Sequence, residues 1–175
     1  VPPPASWWPA YVGLGSNLDD PPRQLERAFA ALAQLPQTRL VLRSPWYRTA
    51  PFGPVIQPHF LNAVAGLLTR LAPEALLQQL RAIEQAQGRE AVRERWGPRP
   101  IDLDLLVHGR ERRSDAALTL PHPGIPDRNF VLYPLRDLAP DLEVPGLGTV
   151  RELAARVTAE GIERHVPATG AMTTT

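Results

Sequence analysis

Asp102 and Asp104 stand one residue apart in R-W-G-P-R-P-I-D-L-D-L-L, residues 95–106. Side chains two apart on a strand share a face. The two carboxylates therefore point the same way, with Leu106 and His108 beyond them, while Ile101, Leu103, Leu105 and Val107 line the core side. Like charges this close raise one pKa unless a cation sits between them. A divalent metal meets that need: Mg²⁺ takes oxygen ligands, uses few side chains and completes its shell with water and phosphate. Two carboxylates can bridge two such ions roughly 3.5–4 Å apart, the spacing of two-metal phosphoryl chemistry. Arg89, Arg93, Arg95 and Arg99 precede the pair, with Trp96 among them. Planar, permanent cations beside metal-binding carboxylates describe a polyphosphate site. Taken singly, an Asp-x-Asp reads first as a solvated strand face, and the arginines as surface partners of Glu90 and Glu94. The conjunction is what points to phosphate.

Composition removes several alternatives. The chain has no cysteine, so thiolate nucleophiles, disulfides and Cys-based zinc sites are out. All 19 basic residues are arginine. Without lysine neither a Walker-type phosphate loop nor Schiff-base catalysis is available. Formal net charge is +1, so any anion site is local, and neither nucleic acid nor a membrane surface is an expected partner. No apolar run reaches the roughly 18 residues of a membrane span. Cysteine-free composition suits a cytoplasmic protein, and 175 residues suit one domain, 1–175, with flexible ends at 1–9 and 168–175.

The elements that must position the acidic pair are read from periodicity. A-Y-V-G-L-G-S-N-L, residues 10–18, reads as a strand entering a glycine-containing turn. Asp20 can cap the next helix, Pro21 and Pro22 suit its start, and Leu25, Phe29, Leu32 and Leu35 form its stripe. Residues 39–50 alternate as a strand with Leu40 and Leu42 on one side, and residues 51–58 are a loop by their Pro and Gly. On the strand at 59–69, Phe60, Asn62 and Val64 share one face and Leu61, Ala63 and Ala65 the other. A second helix opens at Pro73, closes at Gly88 and buries Leu76, Leu77, Leu80 and Ile83. A polar loop at 89–99 leads to the acidic strand, which turns near Gly109. The order strand, helix, strand, strand, helix, strand is the split βαβ, ferredoxin-like plan, an α+β fold with an antiparallel sheet, helices on one main face and further C-terminal elements. Those elements are a helical stretch near 129–138, a helix in T-V-R-E-L-A-A-R-V and an edge strand in G-I-E-R-H-V.

Other features carry less by themselves. G-L-G-S-N lacks the third glycine of a dinucleotide fingerprint and reads as a tight turn. His59 and His108 read as surface or core residues, whereas His122 shares a loop with Arg128. Phe60 and Phe130 serve equally as core or as two walls around a flat heterocycle whose edge Asn62 reads.

The blocks G-L-G-S-N-L, Y-R-T-A-P-F-G-P-V-I-Q-P-H-F-L-N-A-V, I-E-Q-A-Q-G-R-E, E-R-W-G-P-R-P-I-D-L-D-L-L, L-P-H-P-G-I-P-D-R-N-F-V-L-Y-P-L and L-A-P-D-L closely resemble, in order and spacing from about 10 to 145, those of 6-hydroxymethyl-7,8-dihydropterin pyrophosphokinases. The resemblance implies a ferredoxin-like monomer of folate biosynthesis that moves pyrophosphate from ATP to the pterin, with ATP bound first. It implies that Asp102 and Asp104 hold two Mg²⁺ ions and that Arg89 and Arg99 are catalytic. Thr49, Ala50, Phe52, Phe60, Asn62, Trp96 and Phe130 fall on pterin positions; Glu84, Trp96, Leu105, Thr119, His122 and Arg128 fall on the ATP side. Departures are Phe60 for a Tyr found in some members, Ala50 for a frequent Pro, Pro123 for an aromatic, and Ala91 and Ala117 for Arg. Residues 1–8 and those after about 148 lie outside the resemblance. Read without the resemblance, the acidic pair also suits a two-metal nucleotidyltransferase, and the sheet suits a nucleotide- or RNA-binding module.

Overall fold

The computed structural model describes residues 6–51, 53–54, 56–88 and 99–166. β1 (Trp8–Ser16) leads to α1 (Pro21–Ala33), then β2 (Thr38–Arg43), β3 (Tyr47–Thr49), β4 (Phe60–Thr69), α2 (Pro73–Ala86) and β5 (Asp102–His108). The hairpin of β6 (Arg113–Ser114) and β7 (Thr119–Leu120) comes next, with a 3₁₀ turn at Ile125–Asp127 and then α3 (Asn129–Leu138). β8 (Glu143–Val144), β9 (Gly148–Thr149), α4 (Val150–Arg156) and β10 (Ile162–Arg164) complete the order.

The main sheet runs β10-β3-β4-β1-β5, with β2 also paired to β4, and every pairing is antiparallel. This is the ferredoxin-like order expected from the sequence, with β4 inserted between β1 and β2/β3. The single strand expected at 39–50 is broken. Pro45 has no N–H to give a ladder, and Ser44 fills the gap: its N–H donates to Val64 O at 2.9 Å and its Oγ accepts from Val64 N–H at 2.8 Å. A register shift between Leu40 and Leu42 corrects the expectation that they share a side. Leu40 packs on the core, while Leu42 is 41% exposed.

One face of the sheet receives α1 and α2. Leu25, Phe29 and Leu32, with Leu76, Leu80 and Ile83, pack there on Val12, Leu14, Leu61, Ala63, Ile101, Leu103 and Leu105. Asp20 does not cap α1 through its side chain; it sits in the left-handed region at φ 64°. α2 closes as expected, with Gly88 at φ 97°, a conformation glycine adopts freely. α3 and α4 cover part of the other face through Val131, Leu132, Leu135, Val150 and Leu153, which pack with Val64, Leu106 and Val107. Helices therefore lie on both faces. β1 begins at Trp8, so residues 8 and 9 belong to the sheet.

Candidate functional site

The acidic strand keeps its expected alternation only part of the way. Asp102 pairs with Gly15 and Asp104 with Gly13, while Ile101, Leu103 and Leu105 enter the α1/α2 core. A bulge then intervenes, with Leu105 opposite Val12 but Val107 opposite Tyr11. The extra residue, Leu106, reverses the facing of the two residues after it. Val107 joins the α3/α4 side, and His108 turns to the α2 side, where its Nε2–H donates to Leu71 O at 2.8 Å. His108 is thus a satisfied core residue and not a continuation of the acidic face.

The two glycines expected in a turn lie inside β1, and their role is steric. Gly15 separates Asp102 on one neighbouring strand from Asn62 on the other. A Cβ on Gly15 would lie 2.9 Å from Asn62 Oδ1 and 3.9 Å from Phe60 Cδ1. The Leu106 side chain lies over Gly13, 3.6 Å from where a Cβ would stand, so the trough between the half-buried Asp102 and Asn62 with Phe60 is at Gly15, which carries no side chain. On the side of Asn62 away from Gly15, Asn62 Nδ2 donates to Thr49 Oγ1 at 2.7 Å, and both residues are buried. Ala50 comes directly after Thr49, its N–H donating to Gly161 O at 2.9 Å. Phe130 comes from α3 on the same side of the sheet, packed against Val131 and its neighbours, with Arg128 Cζ 5.7 Å from its ring centroid.

A residue not anticipated from the sequence joins the two loops that flank this trough. Asn17 is 3% exposed. Its Nδ2 donates to Gln57 Oε1 at 2.8 Å and to Pro58 O at 3.0 Å. Its Oδ1 accepts from Arg99 N–H at 2.8 Å, and its own N–H donates to Arg99 O at 3.1 Å. The side chain fixes the entry to β4 and the entry to β5 together, and so sets the backbone of Arg99 three residues before Asp102. An Asn between a strand and a helix reads as a turn residue, so only its place in the resembling block marked it.

The remaining candidates gather at the β5 edge. Glu84, on α2 and 5% exposed, accepts from Leu103 N–H through Oε2 at 2.9 Å. Leu105 is a core side chain, so any contact it makes with a ligand is through its backbone. Thr119 lies in β7, half-buried. His122 N–H donates to Leu106 O at 2.9 Å, tying its loop to β5. Burial, and then the Arg128 guanidinium, lower the His122 pKa; the Asp102 carboxylate works against them. His122 Nδ1 accepts from Gly124 N–H at 2.9 Å, which leaves the neutral ring's proton on Nε2. Gly124 has no side chain where a Cβ would stand 2.6 Å from Arg128 Nε, so Arg128 folds over this loop. Arg89, Trp96 and Phe52 lie outside the described residues.

Among the described residues no group of three or more His, Cys, Asp and Glu side chains is placed to hold a metal. Two carboxylates opposite glycines do not make an all-protein cage. They fit Mg²⁺, which takes its other ligands from water and phosphate. No helix among the described residues is long and apolar enough to cross a membrane.

The fold is that of an α+β protein with a ferredoxin-like antiparallel sheet. Residues 11–140 match the sequence model of 7,8-dihydro-6-hydroxymethylpterin-pyrophosphokinase, HPPK. The chain belongs to this family. It is 52% identical over 155 residues to the 2-amino-4-hydroxy-6-hydroxymethyldihydropteridine pyrophosphokinase of Pseudomonas aeruginosa, covering 88% of this chain and 94% of that one. The Haemophilus influenzae protein of the same description is 45% identical over 144 residues, 82% of this chain and 89% of that one. A crystal structure of wild-type Plasmodium falciparum HPPK-DHPS with STZ-DHP superposes with a TM-score of 0.67 at 13% identity, over 87% of this chain and 44% of that longer one. That likeness concerns the fold.

Proposed function

We propose that Asp102 and Asp104 bind two Mg²⁺ ions and that Arg99, with Arg89, stabilises the transferring group, in a reaction that family membership defines. The reaction is ATP-dependent transfer of pyrophosphate to 6-hydroxymethyl-7,8-dihydropterin in folate biosynthesis. The observation that carries the site assignment is the register: Asp102, Gly15, Asn62 and Tyr47 lie in one row across the sheet. A triphosphate against the aspartates and a flat ring against Asn62 then meet over Gly15, with no side chain of that residue between them.

The pterin hydroxyl attacks the β-phosphorus of ATP in line. The new O–P bond forms as the bond from that phosphorus to the α–β bridging oxygen breaks, AMP leaves, and the hydroxyl proton passes to solvent. When bound, Mg²⁺ neutralises the triphosphate and polarises the phosphorus under attack. The Arg99 guanidinium meets charge developing on the departing oxygen. Asn62 reads the ring's polar edge, Thr49 fixes the orientation of its amide, and Phe60, Phe52, Trp96 and Phe130 supply apolar walls. Glu84, the Leu105 backbone, Thr119, His122 and Arg128 receive ATP, with His122 neutral and donating through Nε2. The chain works as a cytoplasmic monomer without nucleic acid; its net charge of +1 speaks against a polyanionic partner, and its freedom from cysteine suits a reducing compartment.

The test is ATP binding by calorimetry with and without Mg²⁺. Binding is expected to require the ion in the unaltered chain, and Asp102→Ala is expected to remove that dependence. Equal affinity with and without Mg²⁺ would overturn the metal assignment.

A further inference from the structure

The Thr49–Ala50 segment is held from outside by a part of the chain beyond the family match, which ends at residue 140. Ala50 N–H donates to Gly161 O, and Ile162 pairs with Thr49 where β10 adds to β3. β10 is three residues long and sits at the sheet edge, with Glu163 and Arg164 exposed. So short a strand fixes little alone. The turn before it has a second tether. Asn129 Nδ2 donates to Thr158 O and to Glu160 O, both at 2.9 Å, so both amide protons are spent on one turn. Gly161 comes next at φ 71°, a left-handed conformation that lets the chain reverse into β10. Asn129 is the first residue of α3 and precedes Phe130. A pocket of about 760 Å³ lies between Thr49 and Ala50 on one side, Asn129 and Phe130 on another, and Thr158, Glu160 and Gly161 on the third.

We propose that Asn129 and the turn at 157–161 are positioning elements for the pterin. They set the distance between the Thr49 wall and the Phe130 wall, which belong to separate elements, β3 and α3. Asn129 acts by gripping the turn, the turn holds Ala50 through Gly161, and Thr49 orients the Asn62 amide. ATP binds at the far side of Gly15, against β5; the one ATP group beside this linkage, Arg128, extends its side chain over Gly124 and not toward the turn. The inference rests on the assignment of Thr49, Asn62 and Phe130 to the pterin.

Steady-state kinetics of Asn129→Ala and of the isosteric Asn129→Asp test it, alongside melting midpoints. Both variants lose the two donated bonds, and the pterin KM is expected to rise about tenfold, while the KM for ATP stays within about twofold and the melting midpoint within a few degrees. An unchanged pterin KM in either folded variant, or equal losses for both substrates, would overturn the proposal. Asn62→Ala separates the levels. If it leaves the pterin KM unchanged, the pterin assignment itself fails. If it raises that KM while the Asn129 variants do not, only the positioning role fails.

Discussion

Asp102 and Asp104 differ from an ordinary solvated pair in what faces them. Each stands opposite a glycine: Asp102 borders the trough at Gly15, and Asp104 lies beside Gly13, over which Leu106 packs. Asp102→Ala and Asp104→Ala are each expected to lower kcat by at least about 10²–10³-fold with circular dichroism unchanged, since neither carboxylate belongs to either hydrophobic cluster. His122 gives a prediction in pH. Its folded pKa lies below the ordinary 6.5, chiefly through burial. The unfolded chain therefore takes up this proton first, and the stability associated with neutral His122 is full above 6.5 and lost as pH falls through the folded value. Melting midpoints recorded from about pH 7.5 down to about pH 5 are expected to fall less steeply for His122→Asn. Identical slopes in the two proteins would contradict the direction of the shift.

The elements show what periodicity reveals and what it hides. Alternation in 101–105 and 60–65 reports which residues share a face: Ile101, Leu103, Leu105, Leu61, Ala63 and Ala65 enter one cluster, and Val64 enters the other. Alternation cannot report a bulge, because an extra residue leaves local composition unchanged while inverting every later position on the strand. Val107, His108 and Leu42 are the residues it misplaces. The role of Gly15 was hidden for a different reason: its meaning lies in Asn62 and Asp102, on strands distant in sequence. The same holds for Asn17, whose partners Gln57, Pro58 and Arg99 come from two loops. Asn17→Ala leaves these buried groups without their partner, and a loss of about 1–3 kcal/mol in denaturant unfolding is expected. Pterin KM should rise with it, as the β4 and β5 entries lose their common anchor. Gln57→Ala removes one of those bonds and should cost less in both measurements.

Across the whole molecule the sheet divides labour between its faces. α1 and α2 close one face with the larger cluster, and the trough opens on the other beside α3 and α4. Stability and specificity are thereby separable. Phe29→Ala, fully within the α1/α2 cluster at 1% exposure, is expected to cost about 3–5 kcal/mol in unfolding free energy. The KM values for both substrates should be unchanged at temperatures where the variant remains folded; a shift in either would show the faces to be coupled. The order βαββαβ carries the architecture far enough to be legible in the residues, while hairpins such as β6–β7 and β8–β9, two residues to a strand, are too short for any period to show. The central claim is that the group transferred is a whole pyrophosphate, cut from ATP at the β-phosphorus. Chromatography of nucleotide products after incubation with ATP, Mg²⁺ and 6-hydroxymethyl-7,8-dihydropterin tests it most directly. Free AMP formed in equal amount with pterin diphosphate is the result expected; release of free pyrophosphate with AMP retained on the acceptor would contradict it.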